Sequence, residues 1–413
     1  MDKVKYLILG AGPCGLTVAN RLKQQGETSF LLLEKENEVG GLCRSAIVDS
    51  KPLDIGGGHF LDVRRPRVNE FLFGFMPAEE WNFYERDSRI SFDGIEIEHP
   101  FEANIWQMPI EKQVEYLKSI AIAGCNVGKE KPEKFTDWIS WKLGERIASD
   151  YMIPYNRKLF ADNLDELGTY WLDKLPDVSF EDTLLSCINK KSYGQQPGHA
   201  HFYYPKKYGY GELWVRMGRA VANNLCIHTE IKSIDLKNRI VQFNNGSVCA
   251  EQIISTIPWN SFERISNADE KFMSSLSELK SSSIEIRYFS ETMDTKAQWI
   301  YYPDDALPYH RILVRSNFCD GSSGYWTETR KERTGLFTSE PEFSYTNEYA
   351  YPINTIKKQE AARYILDYAQ KHKVYGVGRW GEHQHYNSDV VVERAMDLVD
   401  SILSVSKSDE SFS

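Results

Sequence analysis

A mixed α/β fold, α+β overall, is predicted by three features of this 413-residue chain. A glycine-rich turn near the start follows an apolar strand and opens a helix. A helix-rich segment occupies the middle, and strand-like sequence dominates from Ser282 to about Tyr351. The expected architecture is a Rossmann-like dinucleotide-binding domain, interrupted by a helical insertion and accompanied by an antiparallel β-sheet domain.

The first feature lies in "KYLILGAGPCGLTVANRLKQQGETSFLLLEKE": an apolar strand, the turn, then Leu16, Ala19 and Leu22 at helical spacing, Gly26 as a stop, and a second strand from Phe30 to Leu33. Gly10, Gly12 and Gly15 have the GxGxxG spacing, which permits a tight turn and brings a pyrophosphate close to the amides of a helix N-terminus. Glu34 ends the second strand, where a carboxylate accepts hydrogen bonds from a ribose 2′-hydroxyl. Residues 100 to 201 carry helical periodicity and many tryptophans and tyrosines, broken by the charged linker "GKEKPEK". "IHTEIKSIDLKNRIVQFNNGSVCAEQIISTIP" alternates and reads as a β-meander turning at Asn245-Gly246. The last helix places Val392, Met396, Val399 and Leu403 on one face, and a disordered polar tail is expected over 406–413.

Composition narrows the function classes. With 41% hydrophobic and 13% aromatic residues the chain can build a large core in two or three domains. No run approaches the roughly 18 to 20 apolar residues of a membrane span, and the N-terminal sequence enters a strand without a small-residue cleavage site. Seven scattered cysteines without a CxxC pair fit reduced thiols, and a net charge of -10 with no basic tract argues against a nucleic-acid partner. A soluble, cytoplasmic protein is expected. His383 and His385 form an HxH pair with no third ligand in view, so no metal site is expected. Cys14 and Cys43 read as small buried residues in tight turns.

Further motifs carry a resemblance. "EKENEVGGLCRS", with Gly40-Gly41 and Arg44 just after Glu34, resembles the second glycine pair of glutathione-reductase-like and amine-oxidase-like flavoproteins. "PLDIGGGHF" resembles their flavin-side loop, and "VYGVGRWGEHQHYNSD" leads into the last helix as it does in those families. The resemblance implies FAD, held by Gly10, Gly12, Gly15, Glu34, Lys35, Gly41, Leu42, Arg44, Gly57, Gly58, His59, Gly378, Arg379, Asn387 and Ser388.

Within that superfamily the chain resembles the UDP-galactopyranose mutase family, particularly its eukaryotic-type branch. "HPFEANIWQMP", "YNRKLFADNLDEL", "FYYPKKYGYGELW", "WIYYPDDALPYHRILVRSN", "YAYPINT" and "GRWGEHQHYNSD" are similar to its segments and follow its order. The resemblance implies a flavin-dependent pyranose/furanose mutase for a nucleotide sugar, most simply a UDP-sugar, in cell-surface polysaccharide biosynthesis. Reduced flavin N5 would act as nucleophile on the anomeric carbon, so no residue is singled out as the catalytic group, and His59 and His385 are read as supporting it. Arg311 would grip the diphosphate, joined at the substrate by Tyr301, Tyr351, Phe160, Asn104, Tyr386 and Lys174. For Arg311 the structural alternative is a salt bridge to a nearby carboxylate, and for Arg315 that is the preferred reading. NAD(P)H as reductant and a homo-oligomer are compatible with this picture.

The chain departs from the family pattern at three places. Leu175, beside Lys174, stands where a second diphosphate arginine aligns; His385 stands where an active-site tyrosine aligns, with Tyr386 one place off; and "DIGGGH" holds one glycine more than the family's GGH. An amine-oxidase- or protoporphyrinogen-oxidase-like FAD oxidoreductase is therefore the alternative, and a flavin-binding protein with a decayed site is a third. The expected domains are 1–85, 203–262 and 355–405 for FAD, 99–202 as the helical substrate domain, and 86–98 with 263–354 as the antiparallel sheet domain, the substrate lying where the three meet.

Overall fold

A computed structural model describes residues 2–172, 179–194 and 200–410, with side chains described for 3–404 within those ranges. The chain divides into two compact units, one of residues 1–82, 203–280 and 358–413, the other of residues 83–202 and 281–357.

The first unit is built on an eight-stranded sheet. Strand β1 (Asp2–Leu9) runs parallel to both of its neighbours, β2 (Phe30–Leu33) and the strand Gly246–Ser255. Tyr6, Leu7, Ile8 and Leu9 are fully buried, which is why the strand reads as a continuous apolar run and not as an alternation. Helix α1 (Pro13–Gln24) joins β1 to β2, so the expected Rossmann-like βαβ unit is present. Its buried residues include Leu16, Ala19 and Leu22, and also Asn20, whose amide donates to the carbonyls of Leu16 and Met217. The meander is present as Ile231–Asp235, Ile240–Phe243 and Gly246–Ser255. Its turn residues are Asn244 and Asn245, with Gly246 already paired to Phe243, one place earlier than the Asn-Gly signal suggested.

The division differs from the sequence reading: residues 83–85 and 355–357, expected with the FAD domain, fall in the second unit, which holds the helical and sheet segments together. Residues 263–280, expected in the sheet domain, belong to the first unit: strand Arg264–Ser266 pairs with Ile231–Asp235, and Ile265 and Phe272 bury in one cluster with Ile234 and Trp259. The last helix runs from Ser388 to Glu410, into the segment expected to be a disordered tail, and buries Val392, Ala395, Met396 and Val399.

In the second unit a seven-stranded sheet has the order Phe343–Pro352, Ser281–Phe289, Tyr325–Arg330, Arg311–Val314, Trp299–Tyr301, Ser88–Phe92, Ile95–Glu98. Pairing is antiparallel except between Trp299–Tyr301 and Ser88–Phe92. The helices Ile110–Gly124, Phe135–Leu143 and Ile153–Leu159 share one core with this sheet, in which Phe101, Tyr116, Phe135, Ile139 and Tyr151 pack with Ile90, Ile97 and Tyr301.

That core also takes in a carboxyl group. Glu102 is 6% exposed, and burial pushes its acid up to about 7. The folded chain then holds the proton to higher pH than the unfolded chain, so the associated stability is full below about pH 4, the unfolded carboxyl range, and is lost as pH rises through about 7. Glu102→Gln should remove that loss and stabilise the protein by about 3 kcal/mol at pH 8 while changing little at pH 4. Denaturant titrations at both pH values check this; an equal difference at both would contradict the assignment.

Candidate functional site

In the first unit the glycine turn packs as a dinucleotide site requires. Gly10 has a φ of 93°, and a Cβ on Gly15 would lie 1.9 Å from the Gly10 carbonyl oxygen, so the start of α1 touches the end of β1 backbone to backbone. Helix α1 starts at Pro13 with no side-chain cap, and its first intrahelical bond runs from Leu16 N–H to the Gly12 carbonyl. The amides ahead of Leu16 therefore have no intrahelical acceptor and face outward from the turn.

The second glycine pair lies over the first. A Cβ on Gly41 would sit 3.2 Å from Gly12 Cα, and Gly40 N–H donates to the Ala11 carbonyl. Side chains at these positions would fill the cradle between the two turns, so the residues present fit a pyrophosphate. Glu34 is 7% exposed; its carboxylate accepts from Ala11 N–H at 2.7 Å and Glu36 N–H at 3.0 Å, which fixes it at the end of β2 with lone pairs to spare. Arg44 donates to the Gly41 carbonyl and faces Glu36 at 3.5 Å, while Lys35 is exposed. Leu42 lies beneath the next loop, since a Cβ on Gly56 would fall 1.5 Å from the Leu42 carbonyl oxygen. In that loop Gly57 has a φ of 99°, Gly58 follows, and His59 Nε2 donates to the Gly56 carbonyl at 3.2 Å.

The C-terminal turn joins this group. Gly378 has a φ of 79°, and a Cβ there would meet Cys14 Sγ at 2.8 Å, so the turn sits on the first turn of α1. Arg379 donates twice to the Tyr386 carbonyl, Asn387 accepts the first amide bond of the last helix from Val391, and Ser388 Oγ shares a 2.8 Å hydrogen bond with Tyr210. His385 is half-buried, and His383 is buried with Nε2 donating to the Lys280 carbonyl. Burial pushes the Cys14 and Cys43 thiols up, which disfavours their reactive thiolates.

Sequence reasoning passed over a buried acid just ahead of the loop Gly56–Gly58. Asp54 is 1% exposed and accepts from Ser45 Oγ, Tyr204 hydroxyl and Tyr210 N–H. Its one sequence signal is an acid between apolar residues and glycines in "PLDIGGG".

The second unit gathers a different chemistry. Tyr301, Arg311 and Glu328 lie in one row across three neighbouring strands, as Cα partners in register. Arg311 donates through Nε and Nη2 to Glu328, which is 1% exposed, and its Nη2 lies 3.5 Å from the Tyr351 hydroxyl. The guanidinium is held well above its ordinary range although its burial alone would lower it, because Glu328 and the hydroxyls of Tyr351, Tyr301 and Tyr155 favour the charge. Arg311 thus has the carboxylate partner of the structural alternative and the Tyr351 hydroxyl besides. Arg315 is 1% exposed, with its guanidinium 5.1 Å from the centre of the Tyr288 ring.

Aromatic rings wall this row. Tyr155, from the helix Ile153–Leu159, meets Tyr301 and His310 at 5.7 and 6.0 Å, and Phe160 meets Tyr351 at 6.4 Å. Lys158, fully buried, donates to the carbonyls of Tyr302 and Asp304, clamping the loop that follows Tyr301; burial lowers its amine to about 7. Asn104 is held within the helical segment, donating to the Pro100 carbonyl and accepting from Trp106. Lys174 lies outside the described residues. Tyr155, Lys158 and Glu328 were not among the expected site residues; the first two stand inside a quoted motif, and Glu328 meets Arg311 only through strand register.

A family model described as an NAD(P)-binding Rossmann-like domain matches residues 8–73. UDP-galactopyranose mutase of Mycoplasma pneumoniae is 30% identical over 104 residues, 24% of this chain and 25% of that protein. Coproporphyrinogen III oxidase of Mycobacterium leprae is 34% identical over 74 residues, 17% of this chain and 16% of that protein. The matched stretches therefore span a quarter or less of these curated relatives. Among solved structures, reduced UDP-galactopyranose mutase superposes with a TM-score of 0.88 at 22% identity, covering 97% of this chain and 94% of that one. A putative protoporphyrinogen oxidase from Exiguobacterium sp. 255-15 gives 0.71 at 13% identity, covering 97% and 98%. The chain thus has the fold of UDP-galactopyranose mutase, shared at lower similarity with the putative protoporphyrinogen oxidase. Among the described residues no helix is long and apolar enough to cross a membrane.

Proposed function

We propose that the protein is an FAD-dependent nucleotide-sugar pyranose/furanose mutase that takes a UDP-sugar. The observation that carries the reading is the row of Tyr301, Arg311 and Glu328, with Tyr351 at the guanidinium, in a chain whose fold is that of the mutase. An arginine kept charged in an aromatic-walled site, and oriented by a carboxylate on one edge, presents its remaining donors to an anion with two adjacent phosphates.

FAD would be held by the two glycine turns at Gly10, Gly12, Gly15 and Gly41, by Glu34 at the ribose, by Arg44, and by the turn at Gly378, Arg379, Asn387 and Ser388. Bound in its reduced form, FAD supplies a nucleophilic N5 for the anomeric carbon of the sugar. Arg311 neutralises the diphosphate and keeps it in place while it is detached from the sugar, and Glu328 fixes the guanidinium plane. Tyr301 and Tyr351 offer hydroxyls to the same phosphates, and Tyr155 and Phe160 exclude water. The same proposal includes a reductant such as NAD(P)H, a cytoplasmic site of action, and a role in cell-surface polysaccharide biosynthesis.

An FAD-dependent oxidoreductase is the second reading, favoured by the oxidase-type fold neighbours and by Leu175 at the place of a family arginine. An oxygen electrode separates the two. The mutase is expected to convert nucleotide sugar with no substrate-dependent oxygen uptake and no net reduction of an added dye, whereas uptake stoichiometric with substrate loss would establish the oxidoreductase.

A further inference from the structure

Arg86 is a half-buried arginine whose charge no carboxylate answers among the described residues. Its Nε donates to Ser88 Oγ at 2.6 Å, its Nη2 donates to the Tyr301 hydroxyl at 2.8 Å, and its guanidinium lies 4.9 Å from the centre of the Trp299 ring. Among the described residues it has no ion-pair partner, whereas Arg89, three residues on, pairs with Asp87. An arginine held by hydroxyls and an indole face, partly out of water and with no counter-ion, is costly unless an anion completes the site.

Its position gives the anion an address. The Tyr301 hydroxyl that accepts from Arg86 belongs to the residue paired across the strands with Arg311. Having accepted from Arg86, that hydroxyl keeps its own proton for a further acceptor. Two guanidiniums thus bracket one tyrosine, with Glu328 as counter-charge to Arg311 alone. The neighbouring imidazole adds no charge: His99, 5.1 Å from the Tyr301 ring, is held down to about 3 by burial and by Arg86 itself.

We infer that Arg86 is the second cation of the diphosphate site, binding the phosphate that Arg311 does not and orienting the Tyr301 hydroxyl toward it. This rests on the diphosphate reading of Arg311. It also accounts for how the site manages with Leu175 where the related pattern has its second arginine: the second guanidinium comes from the segment leading into the strand Ser88–Phe92.

Calorimetric titration of the full-length flavin-loaded protein with UDP, uridine and inorganic pyrophosphate tests the inference. Arg86→Ala should weaken UDP and pyrophosphate roughly 10- to 100-fold, as expected for losing a charged hydrogen bond, and leave uridine affinity and flavin content unchanged. Arg86→Lys should recover most of the loss, because the charge is restored. If Arg311→Ala weakens UDP binding while Arg86→Ala leaves it within about twofold, a shift too small for a lost charged contact, the inference about Arg86 falls and the diphosphate reading stands. If neither variant matters, or the wild type binds neither UDP nor pyrophosphate, both fall. Equal losses for UDP and uridine in Arg86→Ala would assign Arg86 to packing and overturn the inference.

Discussion

Replacing Arg311 with alanine is expected to weaken nucleoside-diphosphate binding by about 2 to 5 kcal/mol, the range for truncating one partner of a desolvated charge pair, and to leave flavin content and spectrum intact. The same substitution removes the guanidinium from Glu328, a carboxylate 1% exposed in the sheet. Breaking a buried pair from one side costs about 3 to 5 kcal/mol of stability, because the remaining charge is left uncompensated. Arg311→Ala should therefore both lose the ligand and soften the second unit. Adding Glu328→Gln separates the two effects: the double variant should regain most of the stability and none of the affinity. Denaturant unfolding and calorimetry on the same samples measure both, and unchanged UDP affinity in the single variant would remove Arg311 from the site.

Gly15→Ala is expected to yield protein that retains no flavin, if it accumulates in folded form at all. The added Cβ would lie 1.9 Å from the Gly10 carbonyl oxygen, a backbone atom at the end of β1 that cannot move aside as a side chain would. Relief requires α1 to lift off the sheet and the amides ahead of Leu16 to move with it, a change expected to exceed about 4 kcal/mol. Gly26→Ala is the control. Gly26 has a φ of 83° but nothing within 4 Å of its Cβ position, so alanine there costs only the backbone strain, about 1 to 2 kcal/mol, and flavin binding should survive. Flavin-to-protein absorbance ratios of the purified variants check the contrast; a flavin-loaded Gly15→Ala protein would contradict the close approach.

What was legible in the sequence was what is encoded locally. The βαβ unit is specified within some thirty consecutive residues by an apolar run, glycine spacing and helical periodicity, so its strands and helix fall where the pattern puts them. The ion pair of Arg311 with Glu328 was not legible, because the two are 17 residues apart and meet only through the register of adjacent strands. Arg86 is further removed, 215 residues from Tyr301, and that it has no carboxylate partner among the described residues is something no local pattern records. The transfer of residues 263–280 to the first unit has a similar cause: Ile265 and Phe272 are apolar in any setting, and only the tertiary cluster with Ile234 and Trp259 decides which core they join. Asp54 stood in a quoted motif but gave no sign that it would accept from three different segments.

The measurement that bears most directly on the central claim is anaerobic incubation of dithionite-reduced and untreated protein with a panel of nucleotide sugars in pyranose and furanose forms, resolved by chromatography. A new isomer peak that appears with one UDP-sugar, only when the protein is reduced, is the predicted result. No interconversion of any panel member in either redox state would contradict the mutase reading.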